Sequence, residues 1–229
     1  MTALILQARL DSSRLPEKAL LPLGGRPLIL RVMQALTFIP CDARILACPE
    51  DSVSAFAPLA KEADFSIVAG PKDDVLERFC IAIKSCAAEN VIRATGDNPF
   101  VFADAAAALE REAKELNSDY AGFSNLPVGA GVEIVSSKAL LKAAEDSVLP
   151  YEREHVCPYL YNNPRFFALH RPLAPLKWQE SKLRITVDTP EDYKQAQALY
   201  GILSELPLEK RFSGEAIIAA SKRLFISGS

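Results

Sequence analysis

A group of positively charged and hydroxyl side chains follows the first apolar run of the sequence. Residues 7–18 read Gln-Ala-Arg-Leu-Asp-Ser-Ser-Arg-Leu-Pro-Glu-Lys, and residues 9–31 hold five cations and two anions. Their local charge of +3 contrasts with the formal net charge of −3 for the whole chain. Guanidinium, ammonium, hydroxyl and backbone N–H groups that converge in one loop suit a triphosphate. From composition alone, a solvated loop that binds nothing is an equally good interpretation.

Two aspartates each follow directly after a predicted strand. Asp97 lies in Arg-Ala-Thr-Gly-Asp-Asn-Pro (residues 93–99), and Asp188 lies in Arg-Ile-Thr-Val-Asp-Thr-Pro-Glu-Asp (residues 184–192). Mg²⁺ takes one or two carboxylates from a protein, and phosphate oxygens and water complete its ligands. For Asp97 by itself, an Asx turn that caps the following helix is the favoured alternative. Two such carboxylates beside a cationic loop predict a phosphoryl-transfer site.

A fourth charged segment covers residues 151–159 and reads Tyr-Glu-Arg-Glu-His-Val-Cys-Pro-Tyr. One hypothesis is a lid that presents Arg153, His155 and Tyr159 to a polar acceptor. The alternative is an amphipathic helix whose charged side faces the solvent.

Short apolar strands alternate with helices along the first half of the sequence. The predicted strands cover residues 3–8, 44–48, 65–69 and 91–95. The predicted helices cover residues 27–38, 52–63, 73–87 and 103–116. This alternation predicts an α/β fold, with a mainly parallel sheet covered by helices on both faces. Ligands bind at the carboxyl ends of the strands in such sheets, which is where the cationic loop and the two aspartates lie.

The second half of the sequence is less regular. Its predicted strands cover residues 120–124, 132–136, 165–169 and 183–187. Its predicted helices cover residues 137–146, 152–161, 190–203 and 214–224, with Thr189 as the cap of the third. No repeat, low-complexity tract or linker divides the sequence, so we predict one domain over residues 1–229.

The composition argues against several classes of protein. A chain of 229 residues with 49% hydrophobic and 24% charged residues has an ordinary globular composition, which excludes disorder. The lack of a basic surplus disfavours a nucleic-acid partner, and two histidines exclude a multi-histidine zinc site. The dinucleotide fingerprint G-x-G-x-x-G, the Walker loop and the G-x-S-x-G elbow are all missing.

The cysteines and the apolar segments of the sequence indicate the cellular compartment of the protein. Five cysteines without a C-x-x-C pair indicate free thiols in a reducing environment. Neither a leader nor a membrane span is predicted from the sequence. We therefore expect a cytoplasmic protein with no membrane partner.

Four ordered motifs resemble those of a known enzyme family. They are Q-A-R-x-x-S-x-R-L-P-x-K, A-T-G-D-x-P, R-E-H-V-x-P-Y and T-V-D-T-P-E-D. In this order they resemble the sugar-nucleotide cytidylyltransferases, in particular the spore coat polysaccharide biosynthesis protein F group. That group is related to the acylneuraminate and 3-deoxy-manno-octulosonate cytidylyltransferases. The resemblance runs from residue 3 to about residue 195, and it implies a three-layer, Rossmann-like nucleotide-diphospho-sugar transferase fold.

The same resemblance implies a reaction and its partners. A cytidylyltransferase of this kind forms a CMP-activated sugar or sugar acid from CTP and releases pyrophosphate, with Mg²⁺ as cofactor. The product would serve the synthesis of a surface polysaccharide or glycoconjugate. The implied partners are CTP, a sugar or sugar-acid acceptor and, because relatives are often dimers, a second copy of the chain.

The resemblance also assigns roles to individual residues. The implied nucleotide-binding residues are Ala8, Arg9, Ser13, Arg14, Lys18, Asp74, Arg78 and Arg93. The implied sugar-binding residues are Glu133, Arg153, Glu154, His155 and Tyr159. The implied magnesium ligands are Asp97 and Asp188, which form the implied catalytic set together with Arg9 and Lys18.

Three positions depart from the family pattern. Asp11 and Glu17 stand where relatives usually have glycine, and Gly131 stands where an aspartate is common. Two extra negative charges beside a triphosphate site would repel CTP. An alternative is therefore a catalytically weak or inactive nucleotide-binding partner of a sugar-modifying enzyme. A glycosyltransferase of the same fold is a third interpretation, but such enzymes typically need a D-x-D metal motif, which the sequence lacks.

Overall fold

The computed structural model describes residues 1–227, with side chains described as far as residue 224. In chain order its strands are β1 (Thr2–Gln7), β2 (Pro22–Leu23), β3 (Arg26–Pro27), β4 (Ala43–Pro49), β5 (Ser66–Gly70), β6 (Asn90–Thr95), β7 (Tyr120–Ala121), β8 (Glu133–Ser136) and β9 (Leu169–His170). Its helices are α1 (Leu28–Leu36), α2 (Val53–Glu62), α3 (Val75–Cys86), α4 (Ala103–Glu115), α5 (Ser137–Asp146), α6 (Pro150–His155), α7 (Pro158–Asn162), α8 (Pro190–Ser204) and α9 (Gly214–Ser227). Among these helices, none has the length and hydropathy that crossing a membrane would require.

Seven of the strands form one sheet in the order β5-β4-β1-β6-β8-β7-β9. Strand β1 pairs in parallel with β4 and β6, β4 pairs in parallel with β5, and β7 pairs in parallel with β9. Strand β8 runs antiparallel to both of its neighbours, β6 and β7. The predicted mainly parallel sheet is confirmed, and β8 reverses one part of it.

Helices cover both faces of the sheet because β1 is apolar on both sides. Leu4 and Leu6 belong to a core cluster that also contains the buried faces of α1, α2, α4, α8 and α9. Ala3 and Ile5, which alternate with them, belong to a second cluster built with α3, α5 and α7. Successive side chains of a strand point to opposite faces, so this alternation places one core on each side of the sheet. The predicted three layers are therefore present.

Two predicted strands and one predicted helix are shorter or broken in the structure. Residues 120–124 and 165–169 pair in the sheet only over Tyr120–Ala121 and Leu169–His170. Beyond these pairs, Ser124 and Leu173 form an isolated bridge. The predicted helix 152–161 is two helices, because Val156 adopts a φ of 73° between α6 and α7. Pro158, which cannot donate a backbone hydrogen bond, then begins the second helix.

The prediction of a strand over residues 183–187 is wrong. The backbone N–H of Val128 donates to Leu183 O at 2.9 Å, and Ile185 N donates to Val128 O at 2.9 Å. The next backbone donor, Val187 N, instead bonds Asp97 O at 2.9 Å. Because its partners lie in two different loops, the segment forms no continuous ladder. It is nevertheless fixed against the turn that holds Asp97, and this places Asp188 beside that turn.

The turn between β2 and β3 allows a prediction about stability. Gly24 has a φ of +57°, and a Cβ at this position would lie 2.0 Å from Cε1 of Tyr200, on α8. Gly25 has a φ of +74° but has nothing within 4 Å of such a Cβ. We expect Gly24→Ala to lower the free energy of unfolding by roughly 2–4 kcal/mol, since backbone strain and overpacking add. Gly25→Ala is the matched control, with a loss of about 1–2 kcal/mol from strain alone. Urea unfolding curves measure both, and equal losses would contradict the packing argument.

Candidate active site

A cleft of about 350 Å³ lies at the edge of the sheet where β1 and β6 end. We call it the main cleft. The residues that line it are Gln7, Ala8, Arg9, Asp11, Ser12, Ser13, Arg14, Lys18, Ala19, Val75, Arg78, Arg93, Thr95, Gly96, Asp97, Glu154, His155 and Asp188. The cationic loop, Asp97 and Asp188, which are far apart in sequence, therefore lie at one cleft.

The Lys18 ammonium joins the two aspartates. Its Nζ donates to Asp188 Oδ1 and to the Val187 carbonyl at 2.9 Å each, and it lies 3.3 Å from Asp97 Oδ2. All three side chains are largely shielded from solvent. Two carboxylates thus share one cation at the floor of the main cleft.

Further positive charge surrounds Asp188. Arg184 Nη2 donates to its Oδ2 at 2.7 Å, and Arg14 Nη2 lies 3.2 Å from its Oδ1. Burial alone would raise the pKa of Asp188, but the hydrogen bond and charge of Lys18, together with the two arginines, outweigh burial and lower it. Asp188 is therefore an ionised carboxylate at neutral pH.

Asp97 is held by side chains and not by a helix cap. Its Oδ1 accepts a hydrogen bond from Thr95 Oγ1 at 2.6 Å, and Asn98 Nδ2 donates to the same hydroxyl at 2.8 Å. Within residues 1–227, its carboxylate accepts no hydrogen bond from a backbone N–H, so the Asx-turn alternative is not what the structure shows. The second carboxylate oxygen remains directed at Lys18.

The carboxylates of Asp97 and Asp188 are the residues at this site that could hold a metal ion. Asp97 and Asp188 place two carboxylates around the ammonium of Lys18. Mg²⁺ commonly takes one or two carboxylate ligands from a protein, while phosphate oxygens and water supply its other ligands. In the described part of the chain, no group of three or more His, Cys, Asp or Glu side chains is arranged to hold a metal. The two aspartates therefore fit an ion that is bound together with a phosphorylated ligand.

The structure shows how the two unusual acids of the loop are accommodated. Lys72 Nζ lies 2.6 Å from Asp11 Oδ2, and the hydrogen bond from Lys72 is the main cause that lowers the pKa of Asp11. The Asp11 charge is thus offset by Lys72, which reduces the expected repulsion of a triphosphate. Glu17 is exposed and does not line the cleft, and its φ of 50° is a conformation that a glycine adopts without strain.

Arg78 is buried and lines the main cleft, and its side chain also stabilises a neighbouring loop. Its Nη1 donates to the carbonyls of Pro71 and Lys72 at 2.7 and 2.9 Å. Burial lowers the pKa of this guanidinium. Arg78 therefore holds the loop that brings Lys72 to Asp11.

Three residues for which the sequence predicted contacts with a ligand do not line the main cleft. The Asp74 carboxylate caps α3 through Glu77 N and accepts from Arg153 Nε, both at 2.9 Å. Arg153 also donates to the Ala144 carbonyl at 2.7 Å. The Tyr159 hydroxyl donates to Asp146 Oδ2 at 3.2 Å, on the protein surface. For Asp74, Arg153 and Tyr159 the structure therefore shows intramolecular roles where the sequence predicted ligand contacts.

A second cleft, of about 330 Å³, adjoins the first. We call it the side cleft. The residues that line it are Arg93, Ala94, Thr95, Asn98, Tyr120, Gly122, Phe123, Ser124, Gly131, Val132, Glu133 and Arg171. Arg93 and Thr95 line both clefts and form the wall between them.

Of the five predicted sugar-binding residues, only Glu133 lines the side cleft. Glu154 and His155 line the main cleft instead. Glu133 reaches this edge because β8 is antiparallel to β6, so the first residue of β8 lies opposite Arg93. Asn98, Tyr120 and Arg171 were not predicted as site residues. Asn98 lies in the turn of Asp97, which the sequence did single out. No motif marks Tyr120 or Arg171, and their place at the cleft follows from the pairing of β7 with β8 and β9.

Comparison with known proteins points to one family. The family model described as cytidylyltransferase matches residues 3–223. The spore coat polysaccharide biosynthesis protein SpsF of Bacillus subtilis is 31% identical over 211 residues, which cover 89% of this chain and 88% of that protein.

Solved structures agree with the sequence comparisons. A cytidylyltransferase from Leptospira borgpetersenii serovar Hardjo-bovis superimposes with a TM-score of 0.88 at 25% identity, covering 98% of this chain and 95% of that one. CMP:2-keto-3-deoxy-manno-octonic acid synthetase, solved in complex with CTP, superimposes with a TM-score of 0.68 at 16% identity, covering 90% of this chain and 99% of that one. The predicted Rossmann-like fold is confirmed by these similarities.

Proposed function

Because the chain belongs to the cytidylyltransferase family, we propose that it transfers the cytidylyl group of CTP to a sugar or sugar acid and releases pyrophosphate. The observation that carries this proposal is the cluster of Lys18, Asp97 and Asp188 at the floor of the main cleft. A largely shielded cation between two carboxylates, next to a loop rich in arginine, suits the transfer of a charged phosphoryl group.

The main cleft is the proposed site of the nucleotide. Arg9, Arg14 and Lys18 supply positive charge for the triphosphate, and the Ser13 hydroxyl lines the same wall. Ala8 begins this loop directly after β1, where its backbone would lie near the base. The side cleft, which shares Arg93 with the main cleft, is the proposed site of the acceptor.

The proposed mechanism follows from charge and position. A hydroxyl of the acceptor attacks the α-phosphate in line, and pyrophosphate leaves. Lys18 and the arginines of the loop offset the charge that develops on the α-phosphate and on the leaving group. Asp97 and Asp188 would hold Mg²⁺, which when bound neutralises phosphate charge. Where the acceptor is an acid, its own carboxylate orients the attacking hydroxyl, whose proton is released to solvent as the bond to phosphorus forms, so no strong protein base is required.

The biological setting is part of the proposal. The name of the Bacillus subtilis relative supports a role in the synthesis of a surface polysaccharide or glycoconjugate. We propose a cytoplasmic enzyme that acts as a homodimer, as the family resemblance favours.

A thermal-shift screen of nucleotides with Mg²⁺ tests the nucleotide. CTP is expected to stabilise the protein more than UTP, ATP or GTP. At a free concentration of about 100 times its Kd, a ligand raises the free energy of unfolding by about 2.7 kcal/mol. For a chain of this size, that corresponds to a rise in Tm of roughly 5–11 °C. Equal shifts with all four nucleotides, or no shift with any, would contradict the assignment.

A pyrophosphate-release assay tests the reaction. The acceptor panel begins with 2-keto-3-deoxy-manno-octonic acid, the sugar acid in the name of one structural neighbour, and continues with other sugar acids and neutral sugars. Release that depends on both CTP and one acceptor is the expected result. Calorimetric CTP binding without release from any acceptor would instead support a nucleotide-binding partner without turnover.

A further inference from the structure

A hydrogen-bonded network lies behind the wall between the two clefts. Tyr120 is buried, and its hydroxyl donates to Glu133 Oε1 at 2.7 Å. The other oxygen of Glu133 accepts from Arg93 Nη1. Arg93 Nε donates to Gln7 Oε1 at 3.1 Å. The carboxylate of Glu133 thus holds Arg93 from one side and is itself held by Tyr120 from the other.

Arg93 keeps one nitrogen without a protein partner. In the part of the chain that the structure describes, its Nη2 makes no hydrogen bond and is not fully shielded from solvent. The guanidinium is therefore fixed through Nε and Nη1, and Nη2 keeps its capacity to donate. Because Arg93 lines both clefts, its side chain lies where a nucleotide in one cleft would meet an acceptor in the other.

The charges of the network define what Arg93 contributes. Burial alone would lower the pKa of Arg93, but the charge and hydrogen bond of Glu133, with smaller contributions from Cys157 and Tyr120, together outweigh burial and raise it. Burial and the nearby Glu133 carboxylate raise the pKa of Tyr120, so its hydroxyl remains a donor at neutral pH. The positive charge of Arg93 is balanced by Glu133. Arg93 therefore adds a directed hydrogen bond and little net charge.

We propose that Tyr120 is a positioning residue, which acts through Glu133 to aim Arg93 at the point where the two substrates react. The inference rests on the proposed function, since it needs the nucleotide in the main cleft and the acceptor in the side cleft. In the proposed function, ground-state binding of the triphosphate depends mainly on Arg9, Arg14 and Lys18, the cations of the loop after β1 that line the main cleft. An oriented donor at the junction acts on the reaction step instead.

This division of roles predicts a specific kinetic pattern for Tyr120→Phe. We expect kcat to fall roughly ten-fold, because Glu133 loses the hydrogen bond from the Tyr120 hydroxyl and Arg93 is less well aimed. We expect the KM for CTP to stay within about two-fold, because the groups that bind the triphosphate are unchanged. The measurement is steady-state pyrophosphate release with CTP and the best acceptor of the panel.

Tyr161→Phe is the matched control. The Tyr161 ring packs edge-on against Tyr120 at 5.8 Å between centroids, and its hydroxyl makes no hydrogen bond to any residue that the structure describes. The control removes the same atom from the neighbouring ring, so we expect its kcat to stay near that of the wild type. If both variants lose kcat equally, the effect is one of packing and the proposal is wrong.

A double-mutant cycle with Glu133→Gln tests whether Tyr120 acts through Glu133. If it does, Tyr120→Phe has little further effect on kcat once Glu133 is replaced, within about two-fold. A full additional loss, or a raised KM for the acceptor with kcat unchanged, would show that Tyr120 contacts the acceptor directly and would overturn the inference. A wild-type protein that turns over no acceptor would contradict the proposed function itself, which is a distinguishable result.

Discussion

Replacing Asp97 by asparagine is expected to reduce the rate of pyrophosphate release from CTP by about 10³-fold or more. The Asp97 carboxylate balances Lys18 and is one of the two proposed Mg²⁺ ligands. An amide of the same size keeps the space filled but lacks the negative charge that a divalent cation requires. The backbone carbonyl of Asp97, which accepts from Val187 N at 2.9 Å, is unchanged, so the segment that carries Asp188 stays in place.

The measurement is an initial rate at saturating CTP and Mg²⁺, accompanied by a thermal unfolding curve to show that the fold is kept. Asp146→Asn is a suitable control, because Asp146 is an ionised aspartate that pairs with Lys142 on the surface, away from both clefts. Its activity is expected to match the wild type. Full activity of Asp97→Asn would disprove the assigned role of this carboxylate.

Replacing Lys18 by methionine is the second change with a large expected effect. Lys18 Nζ contacts Asp188, Asp97 and the Val187 carbonyl at once, so its loss leaves two carboxylates close together without their shared cation. We expect kcat/KM for CTP to fall by roughly 10²–10³-fold, because the main cleft loses a largely shielded positive charge that would face the triphosphate. Lys18→Arg keeps the charge but not the compact geometry, and should recover only part of the rate.

The same variant has a predicted dependence of stability on pH. In the wild type Lys18 helps to lower the pKa of Asp188 in the folded state. A lowered folded-state pKa stabilises the protein above the ordinary aspartate pKa of about 3.9, and the stabilisation is lost as the pH falls through the folded-state value. The stability difference between wild type and Lys18→Met should therefore be largest near neutral pH and shrink below about pH 4. Urea unfolding at several pH values measures this, and a difference that grows in acid would contradict it.

Much of the main cleft was predictable because strand-end positions in a parallel sheet converge. The residue types of Lys18, Asp97 and Asp188 and their places after predicted strands favour one common site, and the structure brings all three together. Asp188 reaches this site by another route than a strand of the sheet. Backbone hydrogen bonds join the segment before it to Val128 and, through Val187 N, to the carbonyl of Asp97. Sequence periodicity does not distinguish these two ways of holding an extended segment.

The side cleft was much less predictable. Arg93 and Glu133 are opposite each other only because β8 runs antiparallel to β6, and neither residue carries a local signal of this pairing. For Asp74 a local signal was present. Its position three residues before Glu77 in an Asp-x-x-Glu pattern is typical of a helix cap, and the structure shows that cap. The ion pair of Asp74 with Arg153, 79 residues later, depends on the packing of α6 against α3 and has no such signal.

The distance in sequence between the parts of the main cleft has a consequence for synthesis on the ribosome. A nascent chain that has reached residue 97 already contains β1, β4, β5 and β6, together with Lys18 and the first carboxylate. Asp188, which is 170 residues beyond Lys18, is still missing. At 5–20 residues per second, its addition takes roughly another 5–18 s. A nucleotide whose proposed Mg²⁺ needs both carboxylates is therefore unable to guide the early assembly of the parallel strands, which depends on their own ladder hydrogen bonds and apolar faces.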